Sequence, residues 1–555
     1  MKFSIFNFQF SINTEKALII IFFLFAFILR LWRVTEYPAG LNADEAAIGY
    51  NAYSLLKTGK DEFGHSWPIA FQSFNDWKPG FYVYLDLPFV AVLGLNELAV
   101  RLPSVILGTM TVLILFLLVR EMFKEKLPAI VAAGLLAISP WHLHFSRGGW
   151  ESNVSTFFLT LGVYFFFLAL RKPKNFPFFI LCFVASMFTY HSARIVAPLL
   201  GLGCILFYSK QIFKKENWRW LAIAFLTGII PVSILAISFL KQGGVSRFSG
   251  VGMFADQGPF WRVNELRGQH VNPQSLLVKV IHNRFLEYAT QFLDNYLRHF
   301  DGNFLFISGD EIQRNKIPEM GQMYLIEIPF LILGLYFLLR NKPQNWYFVF
   351  WWLAVSPVAS ALTFQSPHAI RALNMVIPLV LIVSYGIVNF FKTINLNQKF
   401  FLPIILNSIF IILYLWNFSF YLHQYYVHYP QTYPAAWEYG FKDLVSYVRS
   451  NQDQFAKVYV TNKYDQPYIL FAFYLQYPPE KFQKEAKLTP KDQYGFSTVD
   501  HFDKYFFGPI NFVGLQKEKK VMIVGSPQEI PDSATIVKRI YFKDGKTEAF
   551  RITEN

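Results

Sequence analysis

Two acids stand side by side in the stretch GLNADEAAIGYNAYSLLKTGKD, residues 40–61, directly after the first long apolar run of the chain. Asp44 and Glu45 are carboxylates, and a carboxylate within hydrogen-bond reach of a hydroxyl or amine can act as a general base. Asn42 offers a competing account. As an N-cap it makes Glu45 the third helical residue, the capping-box spacing in which that Glu reaches back to the cap backbone. Both acids also suit the positive end of a helix. Capping is a sufficient explanation of Glu45, although Glu45 could also line a site. It leaves Asp44 pointing elsewhere, with no required local partner.

The other residues able to do chemistry are cations and acids in similar places. Lys78 precedes Pro79 in NDWKPGFYVYLD, and a lysine there could hold a phosphate as a point charge. The Pro suits the first turn of a helix. Glu97 and Arg101 are four apart, the spacing of a structural helical ion pair. In HFSRGGWESN, Gly148 and Gly149 make a reversal between Arg147 and Glu151. Glu151 heads the next helix, where a negative charge is favourable in its own right. YHSARIVAP supplies His191 and Arg194. SPHAIRALNMVIP supplies His368 and Arg371, whose i, i+3 spacing puts both on one helix face. An Arg at membrane depth is costly unless an anion accompanies it, and a lipid phosphate is the natural anion there. Each of these residues taken singly also reads as an ordinary snorkelling or interfacial charge. The functional reading rests on the set, in which Asp76 completes the twelve.

What positions the set is a membrane. Of 555 residues 54% are hydrophobic and 16% charged, with 62 Phe, 30 Tyr and 13 Trp, against about 25% charged in soluble domains. The sequence predicts a polytopic α-helical membrane protein. Eleven spans are expected, at 17–33, 101–119, 127–146, 152–170, 176–191, 194–209, 219–240, 324–340, 345–364, 372–391 and 400–420. The pair flanking TYHSARIVAP also reads as one re-entrant feature. The net charge of +14 suggests nucleic acid at first sight. It is better read as Lys and Arg gathered in cytoplasmic loops. With a cytoplasmic N-terminus, the short inner loops REMFKEK, RKPKN, SKQIFKKENWR, RNKPQN and FKTINLNQK are the cation-rich ones. Residues 34–100, 241–323 and 421–555 then lie outside, and the twelve ionisable residues fall at that outer face.

The stretch EAAIGYNAYSLLKTG, ending at Gly59, is expected as an interfacial helix, with a second after Pro79. Residues 1–420 are read as the transmembrane catalytic domain, and 421–555 as a small extracytoplasmic α/β domain. In the latter, FKDLVSYVRSN has helical spacing, AKVYVTN and KKVMIVG read as strands, and YDQPYILFAFYLQY is ambiguous. Cys182 and Cys204 sit in apolar runs and read as packing residues, so neither a disulfide framework nor a zinc site is expected. The first apolar run lacks a small-residue cleavage site and is read as a retained span.

The segments around Asp44, Lys78-Pro79 and RLPS, together with HFSRGGWESN, YHSARIVAP, GDEIQRNKIPEMGQMYL and SPHAIRALNMVIP, resemble bacterial membrane glycosyltransferases of the GT-C class. Within it the nearest group is glycosyltransferase family 39, related to protein O-mannosyltransferases and aminoarabinose lipid A transferases. The resemblance runs in order over residues 15–420. It implies a GT-C fold and an enzyme that takes a sugar from a polyprenyl-phosphate carrier at the outer membrane face, without a nucleotide. It implies that Asp44 is the base on the acceptor and that Glu151 lines the same cavity. It also implies that Lys78 contacts the carrier phosphate or orients the acid. Trp77 stands where aminoarabinose transferases have Glu, and Glu151 where Asp is common.

Physical logic agrees with this expectation. The leaving phosphate gains negative charge, which Lys78, Arg194 and Arg371 would stabilise. Inversion is expected when the base-assisted attack comes from the opposite face. Glu45, Arg147, His191 and His368 complete the expected substrate-binding set. Acids could ligate a divalent metal, but none is expected. The acceptor reads equally as a protein, a glycolipid, a cell-wall polymer or a glycan. A transporter or flippase of a lipid-linked sugar is the alternative. It should place charges at the bilayer midplane in two related halves, and no halves repeat here. A partner-binding role for the C-terminal domain stays open.

Overall fold

The computed structural model describes residues 12–74, 76–241, 252–397, 401–491 and 497–555. The Asp76 side chain and residues 242–251 of the second outer segment lie outside the described residues.

A helix stands at each expected span, from Ile12–Leu31 to Phe401–His423. Among the described residues six are long and apolar enough to cross a membrane, including Glu97–Phe123, Glu151–Ala169 and Ala193–Ile212. Others are shorter for local reasons. The span expected at 127–146 is two pieces, Lys126–Ile138 and Pro140–Phe145, because Ser139 before Pro140 leaves the helical region. The span at 345–364 is Trp346–Val355 and then Val358–Ala361, divided at Pro357. Phe176–Thr189 and Ala193–Ile212 are separate helices with a turn between them.

Contacts divide the chain into two compact units. The first comprises Met1–Ala26, Met110–Leu143 and Ser155–Tyr421. Its helix Val376–Asn397 packs against Lys126–Ile138, Glu327–Asn341 and Trp346–Val355. Every residue from Val376 to Val388 is buried, as expected of a helix that is apolar all round.

The second unit comprises Phe27–Thr109, His144–Val154 and Leu422–Asn555. It contains a seven-stranded mixed sheet in the order Lys487–Leu488, Val499–Phe502, Tyr505–Phe507, Lys457–Val460, Val521–Gly525, Glu548–Glu554, Lys538–Tyr541. Lys457–Val460 runs parallel to both its neighbours, and the other pairs are antiparallel. Val521–Gly525 is buried throughout, which is why VMIVG is a continuous apolar run and not an alternating one. FKDLVSYVRSN forms the helix Phe441–Asn451, and the ambiguous stretch forms the helix Pro467–Leu475. The Ala43–Thr58 helix packs against Phe81–Leu93, Pro467–Leu475 and Pro479–Glu485. The Tyr50 hydroxyl fixes this packing by donating to the Tyr477 carbonyl at 3.0 Å.

One local expectation is corrected. Lys78 and Pro79 do not start a helix. They close the strand Asp76–Pro79, which pairs antiparallel with Ala70–Ser73 so that Phe71 faces Lys78. Gly80 N–H donates to Ile69 O at 3.1 Å, and the helix begins at Phe81. A proline is acceptable at this strand end because the two-stranded sheet has an open edge.

Candidate active site

The first acid pair is built as a capping box. Asn42 Oδ1 accepts from Glu45 N–H at 3.0 Å, and Asn42 N–H donates to Glu45 Oε2 at 3.2 Å. At the other end Gly59 closes the Ala43–Thr58 helix at φ 68°. Glu45 is fully buried, and Arg101 reaches both its oxygens, Nε to Oε1 at 2.8 Å and a terminal nitrogen to Oε2 at 2.9 Å. The remaining Arg101 donors go to the carbonyls of Val34, Pro38 and Gly40. This Arg therefore spends all five N–H groups inside the protein. Glu97 instead takes Lys442, at 2.8 Å. The expected Glu97–Arg101 pair is thus corrected: Arg101 engages both oxygens of the fully enclosed Glu45, and Glu97 meets the exposed Lys442 instead.

Asp44 has the opposite environment. Its side chain is 34% exposed and forms an ion pair with Lys78 Nζ, itself 19% exposed. Lys78 also lies over the Phe74 ring, 4.6 Å from its centroid. The hairpin therefore delivers Lys78 to the first turn of the Ala43–Thr58 helix. Behind it lies Glu62, fully buried, with Oε1 accepting from Asn51 at 3.2 Å and Oε2 without a hydrogen bond. Burial pushes the Glu62 carboxyl up to about 8, with the Lys78 charge opposing the shift. Asp61 holds the same loop, accepting from the N–H groups of Phe63 and His65 and meeting His65 Nδ1 at 2.9 Å. The His65 ring leans on Trp77 at 5.3 Å between centroids.

Arg147 and Glu151 flank the glycine reversal. Gly149 N–H donates to Glu45 Oε1 at 2.7 Å. A Cβ on Gly149 would lie 3.1 Å from Val100 and 3.2 Å from Glu45, so close approach fixes the residue type. Arg147 is buried and donates to the carbonyls of Leu29, Arg30, Trp32 and Tyr37 and to the Tyr425 hydroxyl. It satisfies the last carbonyls of the first helix and so braces that helix end. Glu151 opens the helix Glu151–Ala169 and stays partly exposed.

In the first unit His191 stands at the turn before Ala193–Ile212, and Arg194 in the first turn of that helix. Arg194 Nε lies 3.4 Å from Met187 O, and the guanidinium is 5.9 Å from the Phe239 ring centroid. His368 and Arg371 do not share a helix face. They belong to the turns before Leu373–Met375. His368 is buried with Nδ1 3.7 Å from Asp310, whereas Arg371 is partly exposed and donates to Thr363 Oγ1 at 2.6 Å. Burial, with Arg371 close by, holds His368 well below the usual imidazole range. Asp310 accepts from Ala369 N–H at 2.6 Å and Asn315 Nδ2 at 2.9 Å, yet burial still raises its carboxyl. Among the described residues no three His, Cys, Asp or Glu gather as a metal-ligand set.

Residues 78–235 match the family model described as dolichyl-phosphate-mannose-protein mannosyltransferase. A protein of Aquifex aeolicus (strain VF5), described as uncharacterized, is 26% identical over 204 residues, 36% of this chain. The chain spans about 39% of the length of that curated relative. ArnT from Cupriavidus metallidurans, solved bound to undecaprenyl phosphate, is 11% identical with a TM-score of 0.51, covering 98% of this chain and 97% of that one. The fold is that of the GT-C class. The apo oligosaccharyltransferase of Archaeoglobus fulgidus, 13% identical with a TM-score of 0.50, extends the likeness over 84% of this chain and 64% of that one.

The enclosed acids Glu62, Asp61 and Asp310 were not among the residues the sequence singled out. Glu62 and Asp61 follow a Gly-Lys pair that looks like a plain surface turn. Asp310 lies inside GDEIQRNKIPEMGQMYL, so that resemblance was the available signal.

Proposed function

We propose that the chain is a glycosyltransferase moving a sugar from a polyprenyl-phosphate carrier to an acceptor hydroxyl or amine at the outer membrane face. The observation that carries this reading is the Asp44–Lys78 pair, a partly exposed carboxylate and ammonium in contact at the head of a firmly capped helix. ArnT's bound undecaprenyl phosphate and the mannosyltransferase family model support the carrier class.

In this reading Lys78 swings from Asp44 to the carrier phosphate, as a flexible point charge can. The acceptor oxygen or nitrogen attacks the anomeric carbon opposite the phosphate, and its proton passes to an Asp44 oxygen. The bond from the anomeric carbon to the phosphate oxygen breaks, and polyprenyl phosphate leaves with the electron pair. The product is inverted. Glu151 lines the acceptor side, His191 contacts substrate, and Arg194 and Arg371 are proposed phosphate ligands. His368, neutral and enclosed, holds the Asp310 turn instead of touching substrate.

Membranes containing the Asp44→Asn variant, supplied with a radiolabelled polyprenyl-phosphate sugar, should lose transfer while expression is unchanged. Full transfer by that variant would remove Asp44 as the base.

A further inference from the structure

The first unit holds a cavity of about 890 Å³ among the helices Phe176–Thr189, Ala193–Ile212 and Trp218–Lys241. The volume falls within the roughly 300–1,000 Å³ of ordinary ligand sites. Its walls are apolar, and Leu202, Ile205 and Phe225 on its rim are 44%, 48% and 66% exposed. Such exposure opens the cavity sideways, toward the place of lipid chains around a spanning helix. Gly201 lines it, and a Cβ added there would meet nothing within 4 Å.

One end of the cavity lies beside a cluster of cations. Phe213 and Trp218 line that end, and the turn between them carries Lys214 and Lys215, with Arg219 immediately after. Lys210 lies one helical turn before. The turn Pro173–Asn175, which packs against Trp218–Lys241, adds Lys172 and Lys174. These six cations are all exposed. Glu216, 3.9 Å from Lys214, is the one acid in residues 171–220. This is the opposite end of the same helices from His191 and Arg194, and the end that the charge pattern assigns to the cytoplasm. Basic pockets between spanning helices on that side suit anionic head groups.

We infer that this cavity and its cationic mouth bind one anionic glycerophospholipid of the bilayer. An acyl chain lies between the three helices, and the phosphate rests on the Lys172–Lys174 and Lys214–Arg219 turns. The site is separate from the transfer chemistry and does not depend on it.

The test uses the full chain purified in detergent, with melting temperature and native mass spectrometry as readouts. Dioleoyl phosphatidylglycerol should raise the melting temperature by several degrees and remain bound in the spectrum. Dioleoyl phosphatidylcholine and glycerol phosphate should do neither. The variant K214A/K215A, changed only on the exposed turn, should lose the difference between the two lipids. Gly201→Leu, which fills open space, should lose retention of phosphatidylglycerol while melting normally without lipid. An equal shift with phosphatidylcholine, or a shift with glycerol phosphate alone, would overturn the proposal. So would displacement of phosphatidylglycerol by polyprenyl phosphate, or undiminished retention in both variants.

Discussion

Asp44 and Glu45 are neighbours with opposite fates, and the sequence distinguishes them for a physical reason. A capping box consumes the third helical residue and not the second, so the separation of cap from candidate base was legible before any contact was known. Glu62 was not legible, since nothing in TGKDEFGH indicates that a Glu is enclosed. Its raised carboxyl has a testable sign. The folded protein keeps a proton up to about pH 8 that the unfolded chain, near its ordinary 4.5, has already released. Stability should therefore fall as pH rises from about 4.5 towards 8. Glu62→Gln, which cannot ionise, should match the wild type near pH 4.5 and melt higher at pH 8. Thermal melts across that range decide it. Arg371 was expected on one helix face with His368, but both lie in turns before the helix, His368 buried and Arg371 partly exposed. Arg371→Ala should raise the apparent KM for the lipid-linked donor by roughly tenfold or more, the scale of one lost charged hydrogen bond. The acceptor KM should stay nearly unchanged. Steady-state kinetics with each substrate varied in turn will show which constant moves.

At the scale of elements, the helix Ala43–Thr58 was predicted with its cap and its closing glycine, because both ends carry local signals. The Ala70–Ser73/Asp76–Pro79 hairpin was not, because Lys-Pro reads as a helix start until its partner strand is known. Spans interrupted at Ser139-Pro140 and Pro357 were read as continuous, since apolar composition hides a break that proline geometry imposes. Glu45, Arg101 and Gly149 show a further gap. Their spacing of 56 residues between Glu45 and Arg101 has no sequence signature. Arg101→Ala leaves a fully buried carboxylate without its counter-charge, and such changes cost about 3–5 kcal/mol. Chemical denaturation should show that loss. The loss should exceed that of Lys442→Ala, which removes only an exposed partner of Glu97.

For the whole molecule, the membrane class followed from composition, while six of the described helices are long and apolar enough to cross a membrane against the eleven spans expected. The gathering of residues 27–109 with the C-terminal residues did not follow from composition, because long-range packing leaves no periodic trace. Orientation is open to direct measurement, since Cys182 and Cys204 are both buried and give a quiet background. With the charge pattern as guide, Ser450→Cys should react with a membrane-impermeant maleimide in intact spheroplasts. Lys215→Cys should react only after permeabilisation. The reverse pattern would invert the topology. The two braced arginines bear on how the chain is made. Arg101 and Arg147 both clasp carbonyls between residues 29 and 40, and Glu45 waits for the Gly149 amide. The helix that carries Asp44 therefore cannot be locked during the insertion of the span that precedes it. A ribosome must first deliver residues up to Gly149. Nascent chains released before that length should leave the Asp44 loop open to protease, and slightly longer ones should protect it.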